Sequence, residues 1–309
     1  MVRDFAMRPL AVHYANPFSD PQVNINVAEA TRILKVPLYT IPYSAKIHRK
    51  IFCHNLRTWI KRPSLGVLPM MCLPCRALWW GVLQAARKYK IPLIISGNNR
   101  FEDNSYKKAL LGISPDESWE KTYSKSFLGV FKEVVRNMGY LHPAHFSTLL
   151  KSYFFGDTYA LGMRWFQHRI HILDLFYYRP WNEEEILKRI RTEINWNAPI
   201  DVPSTWRWDC DGAFLKDYIH MTLVGATEKD DFYAKLVREG QISREEGLLR
   251  LEKENCMPKE RIQKVLEVAG FDLDEFTLLL KKNYRNIFGQ DTFGVKMMKK
   301  CRQRKRVHQ

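Results

Sequence analysis

The chain has 309 residues, 46% hydrophobic, 27% charged and 13% aromatic, with no low-complexity tract or internal repeat, so it can bury a full core as one large or two modest domains. Its most apolar stretch, "ALWWGVLQAA", falls far short of the roughly 18 residues of a membrane span, and "MVRDFAMRPLAV" lacks the pattern of a signal peptide; no membrane span and a cytoplasmic location are expected. The formal charge of +16 favours polyanionic or phosphorylated partners, and the body stays basic even without the tail "KMMKKCRQRKRVHQ", so phosphate ligands, nucleic acid and acidic lipid all stay open.

Along the chain, "RPLAVHYAN" (8–16) reads as a strand. "VNINVAEATRILK" (23–35) sets Val23, Val27, Ala30 and Leu34 on one helical face, and "VPLYTIPYS" (36–44) reads as a second strand, giving a parallel βαβ unit. A less regular segment covers 46–69. A helix from Cys72 to Lys90 and the strand "IPLIISG" follow, and that strand breaks into Gly97, Asn98 and Asn99, as the rim of a site does at the carboxyl end of a parallel strand. Beyond 116 helical periods dominate: "SWEKTYSKSFLGVFKEVVRNMGYL" places Phe127, Phe131, Val134 and Met138 on one face, and "HILDLFYYRP" (171–180) reads as one more strand. Caps are expected at Asn182, Ser243 and Asp272, each with a glutamate three residues on.

The pattern predicts an α/β fold, a Rossmann-like doubly wound parallel sheet, with a mostly helical C-terminal part. The boundaries are 1–110 for a partial nucleotide-binding domain, 111–290 for a mostly helical substrate or partner domain, and 291–309 for a basic tail. Neither G-x-G-x-x-G nor G-x-x-x-x-G-K-[ST] occurs, so the usual glycine-rich phosphate cradle is missing.

Cys72 and Cys75 form a C-x-x-C at a predicted helix N-terminus, where the macrodipole favours thiolate. A closed metal site needs about four ligands; Cys53 and Cys210 are further candidate donors. Zinc, an iron–sulfur cluster, a redox pair and plain structural thiols stay open. Trp206, Arg207, Trp208 and Asp209, followed by Lys216, combine aromatic faces with charge, which suits the rings and phosphates of a nucleotide-sugar and equally suits helix packing with a surface ion pair. The nine histidines form no H-E-x-x-H, and His142 and His145 flank Pro143 in a loop-like stretch. No G-x-S-x-G supports a serine hydrolase.

"LAVHYANPF", "MCLPCRALWWGVLQAARKYKIPLIISGNNRFED" and "TWRWDCDGAFLKDYIHMTLVGATEKDDFYAKLVREGQISREEGLLRLEKEN" together resemble the N-acetyl sugar amidotransferases of the PP-loop ATP pyrophosphatase superfamily, over roughly 1–280. The resemblance implies an ATP-dependent ligase of surface polysaccharide (O-antigen) biosynthesis. It would adenylate the acetamido carbonyl of a nucleotide-linked amino sugar for attack by ammonia, giving an acetamidino group. Amide nitrogen donation makes that carbon a poor electrophile, and transfer of its oxygen to AMP creates a leaving group, with Mg2+ neutralising the departing pyrophosphate. The resemblance further implies ATP contacts at Asn16, Gly97 and Asn98, an acidic pair near ATP and its metal at Glu102 and Asp103, and partners that supply ammonia: a glutaminase and a cyclase-like subunit.

Family members also carry an N-terminal cysteine-rich zinc-type segment and a strand ending in S-G-G-K-D-S. Neither is in this sequence, so the expectation is a truncated copy that alone does not split ATP to AMP and pyrophosphate and that aggregates or depends on a partner. Two alternatives stand beside it: a tRNA-modifying PP-loop ATPase, supported by the charge and the basic tail but lacking a recognisable RNA-binding module, and a non-catalytic partner-binding remnant.

Overall fold

Four short parallel strands are embedded in a largely helical molecule, described by a computed structural model for residues 2–99, 101, 113–114, 119–158, 160–166, 169–199, 201–202, 204–255 and 257–287. A single helical turn, α1 (Val2–Phe5), precedes β1 (Ala11–His13); α2 (Pro21–Leu34) then crosses to β2 (Leu38–Thr40), which pairs with β1 in parallel, Val12 opposite Tyr39. Asp20 starts α2 by accepting from the Gln22 N–H with Pro21 in the first turn, and Lys35 ends it in the left-handed region at φ 52°.

The segment read as irregular is the central helix, α3 (Ala45–Lys61), capped by Ser44. Its periodicity is masked because two polar residues, His48 and Asn55, lie on the buried face; Asn55 Nδ2 donates to the Met70 carbonyl at 2.8 Å, which makes its burial tolerable. Around α3 gathers the main core. Phe52, Leu56 and Trp59 meet Leu68 and Met71 of a tight turn-helix over Leu65–Cys72, and Phe214, Ile219, Ile262, Leu266, Phe276 and Leu280 close it from the C-terminal helices. Each such large side chain stabilises the fold by about 1.5–3 kcal/mol on full burial.

The helix expected over 72–90 breaks at Ala77 into α4 (Leu73–Arg76) and α5 (Leu78–Lys88). Gly81 lets α5 approach the end of β2, since a Cβ there would lie 2.7 Å from the Ile41 side chain. β3 (Leu93–Ser96) pairs in parallel with β4 (His171–Asp174), the strand read within 171–180, so the described strands form two separate two-stranded sheets. The boundary placed near 110 falls outside the described residues, as does the basic tail.

Between β3 and β4 lie α6 (Trp119–Arg136), α7 (Phe146–Phe155) and α8 (Leu161–Phe166). The period expected for α6 is present, but the face is not: Val134 is buried while Phe131 and Met138 are exposed, and Phe127 stacks on Tyr153 at 3.8 Å. After β4 come α9 (Glu183–Ile194), α10 (Asp211–Val224), α11 (Glu228–Arg238), α12 (Arg244–Glu254), α13 (Lys259–Val268) and α14 (Leu273–Ile287). Asn182, Ser243 and Asp272 accept from the backbone N–H of Glu185, Glu246 and Glu275, the positions expected of caps. Thr227 adds a reciprocal capping box with Asp230 at the start of α11.

Candidate functional site

The loop after β1 is stitched to the start of α10. Asn16 Oδ1 accepts from the Phe18 N–H at 3.0 Å, an Asx turn, and Asn16 Nδ2 donates to Cys210 Sγ at 3.2 Å. Ser19 and Cys210 form an isolated antiparallel bridge, the Asp20 N–H donates to the Asp209 carbonyl at 3.1 Å, and the Asp211 N–H donates to the Phe18 carbonyl at 2.9 Å. Beneath this seam Arg261 of α13 holds three carboxylates, Asp211 at 2.6 Å, Asp20 at 2.9 Å and Asp201 at 3.6 Å, and lies 4.7 Å over the Phe214 ring. One largely buried cation thus fixes where the N-terminal strand meets the C-terminal helices.

Above the seam opens a cavity of about 480 Å³. It gathers residues singled out from sequence for three different roles: Asn16 for nucleotide, Cys72 and Cys75 for metal, and Trp206, Arg207, Asp209 and Lys216 for substrate, together with Cys210 and the first turn of α10 at Gly212 and Ala213. Trp206 stacks on Phe232 at 4.1 Å with the rings 13° apart; it is 8% exposed, and its indole N–H has no hydrogen-bond partner. A buried donor without an acceptor costs about 1–3 kcal/mol.

Arg207 sits in the left-handed region at φ 50°, unusual for a non-glycine residue, and places its guanidinium 2.9 Å from the buried Glu228 carboxylate in the first turn of α11. Lys216 faces opposing influences: burial disfavours its ammonium, but Glu228 and the neighbouring thiols outweigh that, and its pKa is raised. The cavity wall therefore carries two cations, Arg207 paired with Glu228 and Lys216 near it, beside Asp209, and at the N-terminus of a 14-residue helix backbone dipoles that favour anions.

The thiols depart from expectation. Cys72 only caps the four-residue α4, too short for an appreciable dipole, and the Cys75 thiol is pushed well up by burial and then by Cys72 and Cys210. Cys210 is pushed up to about 12, again by burial first and then by Cys72 and Asp209. Cys75 Sγ lies 3.9 Å from His48 Nε2, while His48 Nδ1 meets the Tyr14 hydroxyl at 2.7 Å; burial, then Arg49, lowers His48 to about 4, so its ring is neutral at pH 7. Cys53 is no part of this group, because its thiol donates to the Val268 carbonyl at 2.9 Å on another side of α3. Among the described residues, no group of three or more His, Cys, Asp or Glu side chains is set to hold a metal ion.

Two further groups of expected residues lie away from the cavity. Trp208 does not line the cavity; it is buried in the main core and packs edge-on against Trp196 at 5.8 Å. Gly97 and Asn98 end β3 as expected but do not share the cavity with Asn16: Asn98 donates to Asp174 Oδ1 at 3.2 Å and to Ser96 Oγ at 3.1 Å, and a Cβ on Gly97 would meet nothing within 4 Å. Glu102 and Asp103 lie outside the described residues. The expected nucleotide contacts thus lie at two different strand ends, and the N-terminus of α2, after β1, is capped by the Asp20 carboxylate, which also pairs with Arg261. Sequence reasoning missed His48, Tyr14, Glu228 and Arg261. None belongs to a motif read from the sequence; the T-x-x-D spacing of Thr227 and Asp230, a capping box in the structure, is the one local signal beside Glu228.

Residues 210–302 match the family described as LPS biosynthesis protein WbpG-like, C-terminal domain. No curated protein matches the chain. No helix among the described residues is long and apolar enough to cross a membrane. The matched region begins at Cys210, so the wall of the cavity from Cys210 to Lys216 is the part of the site that is similar to proteins of lipopolysaccharide biosynthesis.

Proposed function

We propose that the chain serves lipopolysaccharide biosynthesis as an N-acetyl sugar amidotransferase-like protein, and that its cavity takes the nucleotide-linked N-acetyl amino sugar. The observation that carries this reading is the convergence, in one cavity, of Arg207, Lys216, the α10 N-terminus and the unpartnered Trp206 N–H with the start of the WbpG-like region. Positive charge and helix amides suit a diphosphate, and a lone buried N–H suits a sugar hydroxyl or an acetamido carbonyl oxygen. The Rossmann-like reading of the strand-bearing half, the ATP and Mg2+ requirement and the ammonia-supplying glutaminase and cyclase-like partners belong to the same proposal.

The test is calorimetric titration of the whole chain with UDP-N-acetylglucosamine. Saturable binding that Lys216→Met weakens by about tenfold, equivalent to about 1.4 kcal/mol, is the expected result. Equal binding of free phosphate and the sugar nucleotide, or no effect of the substitution, would remove the sugar from this cavity.

A further inference from the structure

On α6, Leu128, Phe131 and Val135, spaced by three and four, share one face of the helix, and Met138 begins the turn that follows; each is more than half exposed. The buried face is a different one. Val134 sits in the main core with Val130 packed against it, and Glu133 turns to Arg62 at 3.6 Å and to Arg136 at 2.9 Å. α7 adds a second stripe, since Phe146, Leu150 and Phe154, spaced by four, are exposed while Leu149 and Ser152 are buried. The two helices adjoin at Phe127, whose ring stacks on Tyr153 at 3.8 Å and lies edge-on to Phe154 at 6.2 Å. Single exposed apolar residues need no explanation, but such a gathering on neighbouring helices marks a contact face.

The charge along this segment has one sign. Between 124 and 155 the sequence carries Lys125, Lys132, Arg136 and Lys151 against the single acid Glu133, which is spent on Arg62 and Arg136. Lys125, Lys132 and Arg136, seven and four residues apart, run as an exposed row beside the apolar stripe.

Stripe and row together choose the occupant. A second copy of this chain would set one basic face against another. Nucleic acid would meet the row but gives Leu128, Val135 and Met138 no apolar medium to enter. An anionic lipid surface takes both, with phosphate headgroups for the cations and the acyl boundary for the stripe. The chain's formal charge of +16 adds to the attraction.

We propose that the exposed face of α6 and α7 seats the protein on an anionic lipid surface, with the Leu128–Phe131–Val135 stripe entering the headgroup boundary and the Lys125–Lys132–Arg136 row lying on the phosphates. No residue of this face lines the cavity, so the proposal stands apart from the sugar reading.

The experiment is co-sedimentation of the whole chain with phosphatidylcholine vesicles, with and without phosphatidylglycerol. The expected result is binding about tenfold or more tighter when phosphatidylglycerol is present. Phe131→Ser and Lys132→Glu each weaken it several-fold, whereas Leu249→Ser, at a comparably exposed apolar position of α12, leaves it unchanged; circular dichroism confirms the fold of each variant. Vesicle binding that Phe131→Ser and Lys132→Glu leave intact, or that Leu249→Ser weakens equally, would overturn the proposal, because the attraction would then lie elsewhere on this basic chain. A dimer in sedimentation equilibrium that Phe131→Ser dissociates, without vesicle binding, would give the face to a second copy instead. Retention on RNA that Lys132→Glu abolishes and Phe131→Ser does not, again without vesicle binding, would give it to nucleic acid.

Discussion

Two strand ends in this molecule begin alike and finish differently. Past β3, the polar residues satisfy one another: Asn98 bonds Ser96 and Asp174, and Asn99 Oδ1 accepts from the Phe101 N–H at 2.9 Å. Past β1, Asn16 reaches across to Cys210, and the surrounding wall keeps a donor unsatisfied at Trp206 and cations positioned at Arg207 and Lys216. Both ends have the local sequence of a site, a strand running into Asn and small residues. What separates them is whether another element supplies chemistry that the end itself does not consume, and among the described residues the β1 end receives such a wall, from 206–216.

The sharpest way to break this contrast is to cut the seam. Arg261→Ala leaves the Asp20 and Asp211 carboxylates facing each other without their cation, and removal of one partner from a largely buried ionic group costs about 3 kcal/mol or more. Urea denaturation is expected to show that loss, with sugar-nucleotide binding lost as well; a change below about 1 kcal/mol with binding intact would mean that the seam does not position the cavity.

A smaller effect separates the two ends directly. Arg207→Ala is expected to weaken UDP-N-acetylglucosamine binding by about tenfold, or about 1.4 kcal/mol. Arg207 also pairs with Glu228, so Arg207→Lys serves as the control: if loss of charge alone mattered, lysine would restore binding, whereas the fork-shaped contact predicts only partial recovery.

Much of the cavity was legible because its residues carry their chemistry in their types. A Trp-Arg-Trp-Asp run, a lysine one turn and a half into the next helix, and a C-x-x-C announce themselves without a structure. What could not be read was their assignment to separate roles, since Asn16, Cys72 and Lys216 meet only through long-range contacts that no local spacing encodes. Trp208 parts from Trp206 for a related reason: residues two apart in an extended run share a face, and the left-handed backbone at Arg207 breaks that alternation, so that Trp206 lines the cavity while Trp208 enters the core. Among the elements, the strands were visible as apolar runs, but α3 was hidden by His48 and Asn55, polar residues that pay for burial with hydrogen bonds to Tyr14 and Met70. The exposed face of α6 was misjudged because period fixes the spacing of a stripe, not which stripe finds a partner.

Asn98→Ala tests the closed end of the contrast. It is expected to cost about 1 kcal/mol of stability, the net worth of a typical hydrogen bond, without altering sugar-nucleotide affinity. Lost affinity with unchanged stability would make the β3 end part of the site after all.

The same distinction between spent and unspent polar groups recurs, with the smallest expected effect, on the two sides of α3. His48 has a partner for each ring nitrogen, whereas the buried His145 Nδ1 has none and its ring packs against His54 and His142, at 5.2 and 4.8 Å between centroids. Burial lowers the His145 pKa, and His54, His142 and Lys50 add repulsion against its proton; the Ala144 backbone contact opposes them only in part. The unfolded chain then takes up a proton more readily than the folded one, so stability is fully present above the ordinary histidine pKa of about 6.5 and declines as pH falls through and below it. His145→Gln, which keeps a neutral polar side chain, should flatten that decline in urea titrations between about pH 7 and 5. A slope identical to that of the unsubstituted chain would assign the acid sensitivity elsewhere and leave His145 as neutral packing, held in place by its neighbours and contributing nothing to the pH response.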